Sequence, residues 1–418
     1  MPVWIGVDDT DSKKGGCTTY IAAVLARRLR EIGVKVLGYP RLIRLNPNCP
    51  YKTRGNAAIA LKADAESIDP LRRIAVEVVE EYSELEEGAE TGIALLKGDP
   101  PPKLKEFYWR AVREIIPIRD AFRVAEEIGA EIVYYRDGKG LVGALAAIGA
   151  DLSPGKTYEL IAHRTREYWG TVRKVDPSSV YEMDEATREY TFDNVDYETG
   201  EIRITPHTPC PVLLGIRGID PRALERAYRM LRIGEPVEYV TIFETNQATD
   251  VHYQRYRIHE LRDGVNAIIE GVVSEAPRRD VGGHVFFKID DGTGELTCAA
   301  YEPTKGFRDI VMRLIPGDEV TVYGAVKLKP QGLTLNLEKI WVRKLASKIL
   351  SRPPLCPICG KRMKSLGSGK GFKCRKCGKR LGEDAAEKVE LPRELKLGFY
   401  EVPPSARRHL VKPLDLSL

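Results

Sequence analysis

The 418-residue sequence lacks any apolar run long enough to cross a membrane. Its longest nearly uninterrupted small-apolar run, residues 141–150, is well short of the ~20 residues that a transmembrane helix needs. The N-terminus, MPVWIGV, also lacks the basic segment that begins a secretory signal peptide. We therefore expect a soluble, cytoplasmic protein. The 43% of hydrophobic residues suffices for the cores of the roughly two to four domains that this length predicts.

Glutamine and asparagine are scarce, with three and seven residues against 65 Lys and Arg and 60 Asp and Glu. This bias is typical of thermophilic proteins. The net charge of +5 is unevenly distributed, because residues 346–418 contain 17 Lys and Arg but seven Asp and Glu. That region carries +10, and residues 1–345 carry −5. A basic end predicts a polyanionic partner such as nucleic acid, although a solubilising tail would have a similar composition.

Four of the eight cysteines follow a metal-binding pattern, C-x2-C-x14-C-x2-C, in which each pair precedes a glycine. They are Cys356, Cys359, Cys374 and Cys377. Two residues between thiolates let both sulfurs bind one tetrahedral Zn²⁺. The pattern predicts a structural zinc ribbon, because four thiolates leave no open position for catalysis. Two disulfides are the alternative, but they would need an oxidising compartment, which nothing in the sequence indicates.

Residues 266–345 predict four or five short strands separated by turns. A hairpin around GHVFFKIDDGTGELT, a helix over residues 307–313 and a second hairpin after PGD follow the order of an OB-fold barrel. Such barrels stack bases on aromatic side chains and contact phosphates with cations. Together with the zinc ribbon and the basic end, this segment predicts nucleic-acid binding.

The chain begins with an apolar strand that runs into acidic residues, a glycine loop and a helix with apolar residues at helical spacing. The acidic residues and loop glycines are Asp8, Asp9, Asp11, Gly15 and Gly16. Carboxylates at a strand end, beside a helix N-terminus with free N–H groups, suit Mg²⁺ bridged to phosphate oxygens. The alternative is a capping threonine, Thr18 or Thr19, after an acidic turn.

A second glycine loop and a basic segment follow. Gly138, Gly140 and Gly143 lie between a predicted strand and a small-residue helix. Their spacing matches a dinucleotide fingerprint, but no acidic residue for the ribose is evident. A phosphate-binding turn is therefore the simpler interpretation, and close helix packing is the alternative. The basic segment between the two loops contains Arg41, Arg44, Lys52 and Arg54. These cations would bind a triphosphate or RNA, or remain solvated in a loop.

Residues 155–250 predict a βαββαβ, ferredoxin-like arrangement. Its segments are TYELIAHRT, SSVYEMDEATRE, the strand pair EIRITPHT and PVLLGIRG, PRALERAYRMLRIG and EYVTIFETNQATD. The last strand ends in the polar cluster FETNQATD. This cluster would border a substrate pocket or form a simple loop.

These motifs together resemble the archaeal tRNA 2-agmatinylcytidine synthetases. The resemblance rests on DDTDSxxGGCTT, RLNPNCPYKTRGN, GKGLVGALAAIG, the ferredoxin-like segment, the OB barrel and the cysteine pairs CPICG and CRKCG, in collinear order. It implies an α+β multidomain protein with an atypical kinase-like α/β ATP-binding domain in residues 1–150. This domain is followed by a ferredoxin-like domain in residues 151–262, an OB-fold RNA-binding domain in residues 263–345 and a zinc ribbon with a basic tail in residues 346–418.

The resemblance implies an ATP-dependent ligase that joins agmatine to C2 of the wobble cytidine in the isoleucine tRNA that reads AUA and has a CAU anticodon. The base carbonyl would be activated as a phosphate ester, and AMP and phosphate would be released. The resemblance also implies phosphorylation of a threonine in GGCTT, which falls on Thr18 here.

Within that activity each motif has an expected role. The three aspartates would hold Mg²⁺ at the transferred phosphoryl group, while Lys52, Arg54 and the two glycine loops would hold the ATP phosphates. Agmatine carries a guanidinium that requires a carboxylate or an aromatic face. The cluster FETNQATD offers Glu244 or Asp250 for this purpose.

A nonenzymatic tRNA- or single-strand-binding protein is the alternative, since an OB barrel and a zinc ribbon would serve it equally well. The three aspartates argue against it, because their mutual repulsion costs stability unless a cation is present. Residues 391–418 show no clear periodicity, so the sequence leaves open whether this tail packs on the body or orders only on RNA.

Overall fold

The computed structural model describes residues 1–416, so the last two residues of the predicted fourth domain lie outside the described residues. The α-helices are α1 (Thr18–Glu31), α2 (Asp69–Tyr82), α3 (Pro102–Arg113), α4 (Ile118–Ile128), α5 (Gly140–Ile148), α6 (Pro177–Thr187), α7 (Pro221–Met230) and α8 (Phe307–Val311). No helix in residues 1–416 is both long and apolar enough to span a membrane.

The strands divide into two groups along the chain. Those of the first 250 residues are β1 (Pro2–Asp8), β2 (Lys35–Val36), β3 (Arg41–Arg44), β4 (Ala57–Asp64), β5 (Gly92–Lys97), β6 (Glu131–Tyr134), β7 (Thr157–Arg164), β8 (Thr191–Phe192), β9 (Val195–Asp196), β10 (Glu201–Ile202), β11 (Val212–Gly218) and β12 (Val237–Thr245). The later strands are β13 (Gln254–Arg255), β14 (Asn266–Arg279), β15 (Val285–Asp290), β16 (Glu295–Ala300), β17 (Glu319–Lys329), β18 (Gly332–Lys344), β19 (Lys348–Arg352), β20 (Lys364–Ser365), β21 (Phe372–Lys373), β22 (Arg380–Leu381), β23 (Glu387–Leu391) and β24 (Gly398–Glu401).

A ten-stranded mixed sheet forms the body of the first 250 residues. Its order is β6-β5-β1-β4-β3-β12-β7-β11-β8, and β2 also pairs with β4. Strands β3 and β12 pair in parallel, with Arg41 opposite Glu244 and Leu42 opposite Thr245. The predicted kinase-like and ferredoxin-like parts therefore share one sheet.

Strand β1 lies inside this sheet and is covered on both faces. Val3, Ile5 and Val7 belong to a core with α1 and α2, whereas Trp4 belongs to a second core with α3, α4 and α5. This alternation is the usual two-residue period of a strand. Gly6 permits the close approach of α5, because a Cβ at this position would lie 2.1 Å from the carbonyl oxygen of Ala144.

The ferredoxin-like prediction is confirmed, with one strand placed differently. Strands β12, β7, β11 and β8 are neighbours in that order, and all their pairings are antiparallel. The second strand of the βαββαβ unit is thus β8, and not the predicted EIRITPHT segment. That segment forms only β10, which pairs with β9. The prolines at positions 206, 209 and 211 explain the difference, because proline cannot donate to a strand ladder.

The predicted OB fold is confirmed as a closed five-stranded barrel. Its order is β14-β15-β16-β18-β17, and pairing of β14 with β17 closes it. The connecting helix α8 ends at Val311, two residues before the predicted end. Strands β13 and β24 extend the barrel sheet beside β14 and β18.

The C-terminal part leaves the barrel, forms the zinc ribbon and returns. Strands β19 and β23 pair at the base of the ribbon, which holds the three-stranded sheet β20-β21-β22. After β24 the chain runs back to the large sheet, where the backbone N–H groups of Ala248 and Asp250 donate to the carbonyl oxygens of His409 and Leu410. Leu410 is buried in the core beneath α5. Up to residue 416 the tail packs on the body, and after β24 it consists of turns and irregular backbone, which explains its lack of periodicity.

Candidate active site

A cavity of about 840 Å³ lies between the two halves of the large sheet and the returning tail. The end of β1, the start of α1, β3 and residues 45–57 contribute part of its wall. Strands β7 and β11, residues 203–208 and residue 409 contribute another part, and residues 115–118 add apolar side chains. Of the candidate residues named from the sequence, those that line the cavity are Asp8, Asp9, Asp11, Thr18, Thr19, Arg44, Lys52, Arg54 and Gly143.

The three aspartates form a crowded acidic cluster at the end of β1. Burial raises the pKa of Asp8 well above its usual value, and the charges of Asp9 and Asp11 add to this. Burial also raises the pKa of Asp9 to about 6. The pKa of Asp11 is raised by burial too, although Arg54 opposes the shift. Because burial destabilises the ionised form of all three carboxylates, a cation beside them would stabilise the site. Within residues 1–416, however, the three carboxylates do not form a group whose ligand atoms all lie within 4.8 Å of one another, as the ribbon sulfurs do.

The second glycine loop shapes the space around Asp8. A Cβ at Gly143 would lie 1.9 Å from Oδ2 of Asp8, and a Cβ at Gly140 would lie 2.5 Å from the carbonyl oxygen of Asp8. Gly138 adopts φ +72° in the turn before α5, a conformation that favours glycine. Gly138 and Gly140 lie outside the cavity lining. The close helix packing that we weighed as the alternative therefore accounts for Gly140 and Gly143.

Both candidate threonines open helix α1. The N-cap position is Cys17, so the expectation that Thr18 or Thr19 caps the helix is wrong. Oγ1 of Thr18 lies 2.9 Å from Oγ1 of Thr10. Oγ1 of Thr19 lies 3.1 Å from Nε2 of His163, whose pKa is lowered by burial to about 3. The hydroxyl of Thr18 thus contacts the hydroxyl of Thr10, whereas the hydroxyl of Thr19 is hydrogen-bonded to the neutral imidazole of His163.

Arg54 organises the first glycine loop. Its Nη1 donates to the carbonyl oxygen of Gly16 at 2.9 Å, and its Nη2 donates to those of Ser12 and Gly15 at 2.9 and 3.0 Å. Nη1 also lies 2.9 Å from Oδ2 of Asp11. Gly15 and Gly16 themselves lie outside the cavity lining. The loop is therefore held from within by a guanidinium whose donors are largely occupied.

Lys52 is the less constrained of the two predicted phosphate ligands. Its ammonium donates to the carbonyl oxygen of Pro47. Burial, followed by the positive charges of Arg408 and Lys327, lowers the pKa of Lys52. The ammonium therefore lies in a region of positive potential, which favours an anion.

The structure places Glu244 and Asp250 outside the cavity lining. Oε1 of Glu244 accepts a hydrogen bond from Lys156 at 3.1 Å. Oδ2 of Asp250 accepts one from Lys339 at 2.6 Å, and Oδ1 accepts the backbone N–H of Lys412 at 2.7 Å. Asp250 thus anchors the tail.

Sequence reasoning missed several charged residues of the cavity wall. Glu159 and Arg217 lie within the apolar strands β7 and β11, and a charge inside an apolar strand was the available signal. His409 comes from the tail, where no pattern pointed to it. Cys17, one of the cysteines without metal spacing, also lines the cavity.

The four ribbon cysteines converge as predicted. Their sulfur atoms all lie within 4.8 Å of one another. The closest pairs are Cys356 with Cys377 and Cys359 with Cys374, each at 3.4 Å. This geometry fits one tetrahedral Zn²⁺, to which the four thiolates would supply a closed ligand shell.

Family models match four segments of the chain. Residues 4–68 match the TiaS TCKD domain, residues 138–252 the TiaS FLD domain, and residues 353–395 the TiaS C-terminal zinc ribbon domain. Residues 267–343 match an OB-fold nucleic acid binding domain. Fold and site thus define a multidomain enzyme with a separate nucleic-acid-binding part.

Whole-chain similarity is more specific. The isoleucine tRNA 2-agmatinylcytidine synthetase TiaS of Methanocaldococcus jannaschii is 44% identical over 99% of this chain and 98% of its own length. The crystal structure of a TiaS complex with its isoleucine tRNA and ATP is 42% identical, with a TM-score of 0.91. That of a TiaS complex with the same tRNA, AMPCPP and agmatine is 40% identical, with a TM-score of 0.88. Each of these two comparisons covers 99% of this chain and 97% of the other.

The identity and coverage decide the family. The chain belongs to the isoleucine tRNA 2-agmatinylcytidine synthetases, which the M. jannaschii relative represents over nearly its whole length. The nonenzymatic alternative is not favoured.

The cysteine cluster predicts one zinc ion per chain. Replacing Cys374 by serine removes a thiolate ligand, so we expect the bound zinc to fall to a small fraction of the wild-type amount. Elemental analysis of the purified protein measures this. The matched control is Cys49→Ser, which removes a thiol outside the ribbon and should retain full zinc. Equal zinc in Cys374→Ser and wild type would contradict the assignment.

The acidic cluster predicts a stability cost that depends on pH. The folded-state pKa of Asp9 is about 6, above its ordinary value of 3.8, so stability is lost as pH rises between these values. Without added Mg²⁺, Asp9→Asn should raise the free energy of unfolding by about 3 kcal/mol at pH 8, and by much less near pH 4. Guanidinium unfolding at both pH values measures the difference.

A matched control is Asp99→Asn, which removes a carboxylate from an exposed loop. This variant should leave the free energy of unfolding nearly unchanged at both pH values. If Asp9→Asn gave no gain at pH 8, the carboxylate would not be destabilised by burial.

Proposed function

We propose that this enzyme conjugates agmatine to C2 of the wobble cytidine in the isoleucine tRNA with a CAU anticodon, using ATP. The observation that carries the proposal is the convergence of Asp8, Asp9, Asp11 and Thr18 on one cavity of about 840 Å³. The OB barrel and the zinc ribbon would hold the rest of the tRNA. Because the target base belongs to a structured anticodon arm, it must be flipped out to enter the cavity.

The reaction requires activation of a poor leaving group. The γ-phosphoryl group of ATP passes to the hydroxyl of Thr18, which loses its proton, and ADP is left. The O2 atom of cytidine then attacks the β-phosphorus, the bond from this phosphorus to the α-phosphate oxygen breaks, AMP leaves and a C–O–P ester forms. The primary amine of agmatine then attacks C2, the new C–N bond forms and phosphate leaves with the original O2. The attacking nitrogen loses its proton in this step, so the amine must reach C2 unprotonated.

The acidic cluster and its neighbours have defined roles in this scheme. Asp8, Asp9 and Asp11 would hold Mg²⁺, which would neutralise charge on the phosphoryl group. Lys52 binds phosphate oxygens, whereas Arg54 acts through the glycine loop that it holds in place. Thr18 is the proposed acceptor of a phosphoryl group, because its hydroxyl lies on the cavity wall and is not engaged by His163.

Glu244 and Asp250 lie outside the cavity lining, so another carboxylate must bind the guanidinium of agmatine. Apart from the aspartates, the carboxylates of the described cavity wall are Glu114 and Glu159. Glu159 already contacts Arg44 at 3.4 Å and Gln247 at 2.5 Å. Glu114 is more exposed, lies 3.3 Å from Arg262 and borders apolar residues 115–118. We therefore assign the guanidinium of agmatine to Glu114 and its methylene chain to this apolar part of the wall.

Thr18→Ala tests the proposed catalytic centre. With γ-labelled ATP and Mg²⁺, the wild type should incorporate label into protein and the variant should not. With the tRNA transcript and agmatine, the wild type should also release AMP and increase the mass of the wobble cytidine. Gel autoradiography, chromatography of nucleotides and mass spectrometry of nucleosides measure the three results.

The matched control is Thr19→Ala, which removes the neighbouring hydroxyl and should retain the label. Loss of the label in Thr19→Ala alone would move the acceptor to that residue. If the wild type gave neither label nor AMP but still bound the tRNA, the chain would be an RNA-binding protein without this activity.

Glu114→Gln tests the agmatine assignment. Loss of a charge-assisted hydrogen bond should raise the KM for agmatine at least tenfold, with little change in the KM for ATP. Steady-state AMP release at varied agmatine measures both. Glu106→Gln, on the exposed face of the preceding helix α3, is the matched control and should behave as wild type. An unchanged KM for agmatine in Glu114→Gln would reject the assignment.

A further inference from the structure

Part of the cavity wall is strongly basic and has no role in the scheme above. We call it the basic wall, and it consists of Arg44, Arg203, Arg217 and His409. Its members come from β3, β11, the segment before β11, and the returning tail. Four separate parts of the chain therefore place nitrogen donors on one surface.

The guanidinium donors of the basic wall are poorly satisfied. Arg217 lies 3.7 Å from Glu159 and 3.6 Å from Asp193, and its guanidinium donates no hydrogen bond within residues 1–416. Arg44 reaches Glu159 at 3.4 Å, and its buried Nε has no hydrogen-bond partner in the same part of the chain. Enclosed donors without acceptors cost free energy, and a bound anion would remove that cost.

The carboxylates near the basic wall are each shared between two basic side chains. Glu159 is shared by Arg44 and Arg217. Asp193 is shared by Arg217 and Arg407. Glu201 is shared by Arg203 and His207. Arg407 also pairs with Glu401 at 2.7 Å, so four arginines face four carboxylates, and Lys52 adds a further positive charge nearby. The surplus favours an anion in the cavity.

His409 places a neutral ring beside these cations. A Cβ at Gly55 would lie 2.6 Å from Nη1 of Arg44 and 3.2 Å from Nε2 of His409, so the two side chains meet where this glycine leaves room. The positive charge of Arg44, followed by burial, lowers the pKa of His409 well below its ordinary value. Its buried Nδ1 has no partner within residues 1–416. A neutral ring can still donate a hydrogen bond to an anion.

We propose that the basic wall binds a phosphate group, either a backbone phosphate of the RNA beside the target nucleotide or a phosphate of ATP. The proposal rests on the proposed function, which brings both molecules to this cavity. Arginine forks match phosphate oxygens in pairs, and two forks with partly free donors are present in Arg44 and Arg217. The basic wall is distinct from the acidic cluster at the end of β1, which handles the transferred phosphoryl group.

Direct binding of the full-length protein tests the proposal without relying on turnover. The variants are Arg217→Gln and His409→Ala, with Arg217→Lys as the conservative form. In Arg217→Gln, Asp193 keeps Arg407 and Glu159 keeps Arg44, so no carboxylate is left unpaired. Filter binding with the CAU isoleucine tRNA transcript over a series of salt concentrations is one arm. Calorimetric titration with ATP is the other.

If the basic wall binds a backbone phosphate of the RNA, the Kd for tRNA should be about tenfold higher or more in Arg217→Gln than in the wild type, and the affinity for ATP should be unchanged. The slope of log Kd against log salt should fall by about one, and Arg217→Lys should recover much of the loss. If the basic wall binds a phosphate of ATP instead, the Kd for ATP should be about tenfold higher or more in Arg217→Gln, and the affinity for tRNA should be unchanged. Either result supports the proposal and identifies the source of the phosphate.

The matched control is Arg229→Gln, which replaces an exposed arginine of helix α7 and should leave both affinities unchanged. Unchanged affinities in folded Arg217→Gln and His409→Ala would overturn the proposal and leave the basic wall as a structural ion-pair network. Thermal melting verifies folding. If the wild type binds both ligands but makes no conjugate, the proposed function fails, whereas the binding result for the basic wall still stands.

Discussion

The parallel pairing of β3 with β12 is the interaction on which the rest of the site depends. Two residue pairs join the sheets of the two N-terminal parts. Asn246 then continues the ladder beyond the end of β12, since its side chain accepts from the backbone N–H of Arg44 at 2.8 Å and donates to its carbonyl oxygen at 2.9 Å. Gln247 donates to Glu159 at 2.5 Å. The cluster FETNQATD is therefore structural, because it fixes Arg44 and Glu159 beside the cavity.

The cavity that results holds charges of both signs in partly buried positions. Burial raises the pKa of Asp8 and Asp9, and it leaves donors of Arg44 and Arg217 without close acceptors. Neither arrangement stabilises the free protein, because isolated buried charges lose hydration that nothing replaces. Each arrangement is satisfied by a ligand of opposite charge. The same residues therefore lower the stability of the free protein and raise its affinity for a charged, phosphate-bearing substrate.

The sequence could predict what depends on local spacing. The cysteine pairs, the alternating strands of the barrel and the acidic end of β1 are set by neighbouring residues, and the structure contains all of them. It could not predict what depends on contacts between distant segments. Gly140 and Gly143 match a phosphate loop, yet they pack against Asp8, more than a hundred residues earlier. Glu244 and Asp250 lie in a polar cluster, yet lysines elsewhere in the chain neutralise them.

The tail shows how such distant contacts join the RNA-binding part to the cavity. Arg408 donates to Asn48, to Asn266 at the start of β14 and to Glu338 on β18. The side chain of Asn48 in turn donates to the backbone oxygens of Gly264 and Val265. These groups are largely buried, so a shift of the barrel would leave several of them unpaired at once. The network thereby specifies one orientation of the barrel relative to the cavity. Because His409 follows Arg408 directly, the same residues that orient the barrel also set the position of the imidazole on the cavity wall.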